Sequence, residues 1–179
     1  MRKNLRLYNM ILPMYLLMTF HPLLLLLSMA GNLIIDGLLL FVISLIVEKA
    51  MKNENVDFGM HTLFIVWGLC FFGDFIGAVW LFIGGQIGNH YIYYTPGLDR
   101  TSLKYQIMNG MNDVTHRVGT YTPYSIGFIV SGIIVAAIVI FCADFFIAFR
   151  KTGMTRPQRF FAALAFAVLT APYTFLIPA

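Results

Sequence analysis

From Ser125 to Phe149 the chain reads SIGFIVSGIIVAAIVIFCADFFIAF, an apolar run holding one charged residue, Asp144. A helix that crosses a bilayer needs about 20 mostly apolar residues. This run meets that length, and so short a chain cannot bury so much hydrocarbon in a water-soluble core. Four other stretches share its character: 7–27, 29–47, 62–84 with a continuation to Gly88, and 160–177. Together with 125–149 they predict an all-α integral membrane protein. The expected form is a single membrane domain, a bundle of about five transmembrane helices.

Composition points the same way. The 179 residues are 59% hydrophobic and only 11% charged, with a mean hydropathy of +0.79, whereas soluble domains carry about 25% charged residues. Disorder is excluded, because it requires low hydrophobicity and high charge. Two cysteines, Cys70 and Cys142, are too few for a disulfide framework and read as buried free thiols. The first apolar stretch follows Arg2, Lys3 and Arg6 and precedes Ser28-Met29-Ala30, a pattern shared with secretory signals. A signal core is about 7–15 residues. The run from Leu7 to Leu27 is longer, so it reads as a span.

The basic residues set an orientation, since cytoplasmic loops are rich in Lys and Arg. With the N-terminus in the cytoplasm, Arg2, Lys3, Arg6, Lys49, Lys52, Arg150, Lys151, Arg156 and Arg159 lie inside, and Arg100, Lys104 and Arg117 lie outside. Five spans then place the C-terminus and the 89–124 loop on the outer side. The net charge of +4 therefore belongs to the membrane surface, and no nucleic-acid partner is expected.

The outer loop opens on Tyr91, Tyr93 and Tyr94, turns at Pro96-Gly97 and closes on Tyr121 and Tyr124. Tyrosines at both ends fit an aromatic belt. Between them Leu103, Ile107, Met111, Val114 and Val118 recur with helical period. An amphipathic helix near 101–118 is expected, lying on the outer membrane surface or capping the bundle and stopped at Gly119, with Asp99, Arg100, Lys104, Asp113 and Arg117 facing water. Asp113 and His116 are three residues apart, and His90 is in the same loop. Two ligands at helical spacing do not make a metal site, so no metal or cofactor is expected. No Walker loop, HExxH, GxSxG or CxxC pattern occurs.

Three aspartates fall inside expected spans. An acid in hydrocarbon costs at least about 2.5–3.5 kcal/mol and must face protein or water. At about 1.5 Å per residue, Asp36 lies about 9 Å below the outer boundary and Asp144 about 9 Å from the inner end. Asp74 lies near mid-span. Asn32 is one turn from Asp36, and His21, ahead of Pro22, stands at a similar depth. Gly73 with Gly77, Gly84 with Gly88, and Ala163, Ala167 and Ala171 have the small-residue spacing that lets helices approach closely.

These features point to a transporter or channel component that moves a proton, a cation or a small solute. Asp74, Asp36, Asn32, Asp144 and His21 are its candidate binding residues. Five spans enclose little on their own, so a second copy or a partner membrane subunit is expected. One alternative is a non-catalytic accessory or solute-capturing subunit that uses the outer helix. Another is an intramembrane enzyme acting on lipid, with Asp36 and His21 as its cluster.

Overall fold

The computed structural model describes residues 22–51, 56, 58–95, 97, 99–116 and 122–176. Among these every regular element is helical. Helix α1 is Pro22–Leu45, prolonged by a π turn at Ile46–Ala50; α2 is Met60–Tyr94; α3 is Leu103–His116. Helix α4 is Pro123–Phe146, followed by a 3-10 turn at Ala148–Lys151; α5 is Arg156–Leu169, followed by a 3-10 turn at Tyr173–Leu176.

Three segments are long and apolar enough to cross a membrane: Met29–Lys49, Met60–Tyr94 and Pro123–Lys151. They suggest a membrane location. Their outward side chains agree, since Leu38, Phe41, Phe72, Ile134 and Ile138 stand exposed.

Two of the five expected spans need correction. The expected break between 27 and 29 does not exist, because α1 runs through Ser28-Met29-Ala30-Gly31 without interruption. That tetrapeptide contains no proline, and a lone glycine costs a helix only about 1 kcal/mol. The rest of the 7–27 segment lies outside the described residues. The expected 160–177 span is instead the 14-residue α5, about 21 Å long against a hydrocarbon core of about 30 Å. Pro172 stops it: the residue before a proline is pushed out of helical conformation. Tyr91, Tyr93 and Tyr94 belong to the last turn of α2, not to a loop.

The described residues form two compact units, each presented separately. The first comprises His21–Gly77 with Ile133–Pro172. Its core joins Leu40, Ile43 and Val47 of α1, Val66 and Cys70 of α2, Ile140 of α4 and Ala162, Ala163, Phe166 and Ala167 of α5. Phe149, fully buried, packs tilted at 5.8 Å on Phe166 and edge-on at 6.3 Å against Phe58. Trp67 Nε1 donates to the Met29 carbonyl at 3.1 Å, tying α2 to α1. At Gly73 a side chain would collide with Ile140 Cγ1, so the missing Cβ admits α4 at close range. Helix α5 starts on a cap in which the Thr155 N–H donates to Gln158 Oε1 at 2.9 Å, and Pro157 is tolerated in its first turn. The turn before it needs Gly153, whose φ of 76° a side chain rarely adopts.

The second unit contains Ala78–Gly132. Here α2 presents Gly84, Gly85 and Gly88, all buried. A Cβ at Gly88 would lie 2.5 Å from the Met108 carbonyl oxygen and 2.7 Å from the Asn112 nitrogen, so α3 touches α2 backbone to backbone. Gly110 in α3 likewise admits Tyr124 and Ser125. Trp80 Nε1 donates to Ser131 Oγ at 3.0 Å, and a Cβ at Gly132 would lie 2.6 Å from Leu81 Cγ, so α4 also packs closely on α2.

Candidate functional site

Each of the three acids, Asp36, Asp74 and Asp144, occupies a position on a helical packing stripe, which is why it is buried. In α1 the stripe is Asp36, Leu40, Ile43 and Val47; in the first unit's part of α2 it is Val66, Cys70, Gly73, Asp74 and Gly77; in α4 it is Ala136, Ile140, Asp144 and Ala148. Residues three and four apart share a helix face, so an acid in such a series points where its apolar neighbours point. Exposure is 2% for Asp36, 3% for Asp74 and 0% for Asp144.

Cys70 lies among them. Its Sγ is 4.0 Å from Asp144 Oδ2, and Asp144, Asp36 and Asp74 all lie within electrostatic reach of it. Asp36 also acts on Asp144. The Thr170 hydroxyl, just past α5, is 3.7 Å from Cys70 Sγ and 2.7 Å from the Phe166 carbonyl. With one proton to give, it serves the carbonyl, and the sulfur is a weak secondary acceptor.

The decisive feature is what the acids lack. Asp36 Oδ2 and Asp144 Oδ1 are buried without a hydrogen-bond partner, and among the described residues no Lys, Arg or His pairs with either carboxyl. An unpaired buried carboxylate is costly. A group in that position is stabilised by taking up a proton or a cation. The pairing of Asp144 with Arg150 or Lys151 that sequence position allows does not form: both basic residues are exposed, and Asp144 turns inward to Cys70.

The other expected residues are distributed as follows. Asn32 is half-buried, and no hydrogen bond joins it to Asp36. His21 lies outside the described residues. Gly73, Gly77, Ala163, Ala167 and Ala171 are buried in the first unit. Gly84 and Gly88, also buried, chiefly receive α3 and Phe128 of α4. Cys70 and Thr170 were missed. The available signal was that Cys70 is one turn from Asp74, on its face. Cys142 is exposed, not buried, because the α4 packing stripe passes through Ile140 and Asp144 and leaves it on the outer side.

Helix α3 meets the amphipathic expectation only in part: Val114 of the apolar stripe is buried, and Asp99, Arg100 and Lys104 are exposed. Asp113, expected in water, is 2% exposed, and Asn112 and Thr115 are buried with it. Leu103 and Ile107 of the apolar stripe are exposed. The three glycines of α2 receive Met111 of that stripe together with Asn112 and Thr115 beside it, so the buried face is rotated toward the polar side of α3. Asn109 Nδ2 donates to Asp113 Oδ2 at 3.1 Å. His90 is exposed and stacked on Tyr94 at 4.8 Å. No cluster of three metal-binding side chains occurs among the described residues.

No protein-family model, characterised protein or solved structure matches this chain.

Proposed function

We propose that the chain is a membrane transport component that passes protons or small cations by way of Asp36, Asp74 and Asp144. The observation that carries this reading is the pair of buried, unpartnered oxygens, Asp36 Oδ2 and Asp144 Oδ1, on two carboxyls close enough for the charge of Asp36 to reach Asp144. Ionisable groups inside spanning helices mark ion paths and proton relays. Neighbouring acids share charge unfavourably, so a proton or cation arriving at one changes the affinity of the next. Asp74, one turn from Cys70 on α2, supplies the third group. In this reading Lys49 and Lys151 face the cytoplasm, and residues 89–124 face outward. Three long helices enclose little space, so a second copy or a partner subunit completes the path.

The test is flux. The full chain is reconstituted in liposomes holding a pH-sensitive dye, and a potassium diffusion potential drives entry. Proton or cation entry is expected above that of protein-free vesicles. Asp36→Asn and Asp144→Asn keep the helical circular dichroism but lower the rate about tenfold, an effect equal to about 1.4 kcal/mol in the barrier. Undiminished rates in both variants sink the relay. The exposed Tyr93, Tyr94, Leu103 and Ile107 favour a second reading, an accessory subunit that binds another membrane protein. It predicts no flux from the chain alone and co-purification with that partner.

A further inference from the structure

Helices α2 and α3 border a groove of about 550 Å3 inside the Ala78–Gly132 unit. Its wall is mostly hydrocarbon, from Phe82, Ile83 and Ile87, and its polar end holds Lys104. The Lys104 ammonium stands 4.7 Å from the centre of the Tyr91 ring, a cation–π contact that fixes it at the groove. Among the described residues no carboxylate lines the groove, so nothing there neutralises the ammonium.

The groove's dimensions match one leaflet. From Phe82 to Tyr91 the helix rises about 13 Å, close to half of the roughly 30 Å hydrocarbon core. Tyr91, Tyr93 and Tyr94 at its upper end are the residue type that settles at headgroup level. A hydrocarbon slot one leaflet deep, topped by a fixed cation, is complementary to an acyl chain beneath a phosphate.

We infer that this groove seats one anionic phospholipid, its acyl chain along Ile83 and Ile87 and its phosphate on Lys104. A soluble anion gains nothing from the apolar wall. A zwitterionic lipid brings its own ammonium close to Lys104 and is disfavoured. The site does not depend on the proton path, because no acid of that path takes part.

Native mass spectrometry of the full chain in detergent tests this, with phosphatidylglycerol and phosphatidylcholine of identical acyl chains at equal concentration. One phosphatidylglycerol adduct is expected to exceed the phosphatidylcholine adduct about fivefold, the gain one basic side chain brings against an anionic headgroup. Lys104→Gln brings the ratio to about one, and Lys104→Arg keeps the preference. Ile83→Trp, which fills the slot and spares the cation, lowers both adducts. Lys151→Gln, in the separate basic run, changes nothing. Equal binding of the two lipids by the unaltered chain overturns the inference. So does a preference that survives Lys104→Gln, or one that Lys151→Gln abolishes.

Discussion

Asp99 is placed by short-range bonds alone. It is fully exposed, yet it accepts from the Thr101 hydroxyl at 2.6 Å and from the Thr101 N–H at 2.9 Å. Those two bonds, the hydroxyl's first, hold its carboxyl below the usual carboxylate range. A carboxyl depressed in the folded state stabilises that state above its unfolded pKa, and the contribution is lost as pH falls through the folded value. Titration followed by NMR is therefore expected to find Asp99 below about 3.9, with Thr101→Ala returning it toward that value. An ordinary titration with Thr101 in place refutes the assignment. The intramembrane acids were legible as residues needing shielding, because an acid in a long apolar run cannot face lipid. The role of Cys70 was not legible, since a thiol reads as one more small apolar residue. The burial of Asp113 was not legible, because α3 seats on Gly84, Gly85 and Gly88 of α2, 25 to 29 residues away in sequence, which no local period reports.

At the level of the element, α2 carries its own internal control. Gly68 and Gly88 are both helical, but a Cβ at Gly68 meets nothing within 4 Å, while one at Gly88 meets backbone atoms of α3 at 2.5 and 2.7 Å. Gly68→Ala is expected to stabilise the chain by about 0.5–1 kcal/mol through helix propensity alone. Gly88→Ala is expected to cost about 1–3 kcal/mol, because backbone must move to relieve the overlap. Thermal melts in detergent measure both, and equal effects would show that α3 does not seat on Gly88. The long helices were readable from apolar length. The continuity of α1 was not, because Ser28, Ala30 and Gly31 resemble a boundary when nothing shows that the helix passes through them. The early stop of α5 was signalled by Pro172, but the apolar residues on both sides hid it.

For the molecule as a whole, three apolar helices suggest life in a membrane. The sidedness read from Lys and Arg is a proposal that labelling tests. In a background with Cys70 and Cys142 changed to Ala, Arg100→Cys is expected to react with an impermeant maleimide in intact cells, and Lys151→Cys only after lysis. Both native residues are exposed, so silence from both reports the bilayer, not burial. The opposite pattern inverts the orientation. The all-helical character and the long apolar helices were thus legible from composition and run length. The number of spans was not, because a capped 14-residue helix and a membrane helix can share the same hydrophobic content.

The length of α2 has one more consequence. Its 35 residues make a rod of about 52 Å, some 20 Å more than the oily slab it would cross. Tilt absorbs part of that surplus, and the polar Gln86, Asn89 and His90 lie on its final turns. Helix α3 then hangs from a stiff post instead of a slack tether. In a membrane, α3 would therefore ride at a depth fixed by the tilt of α2.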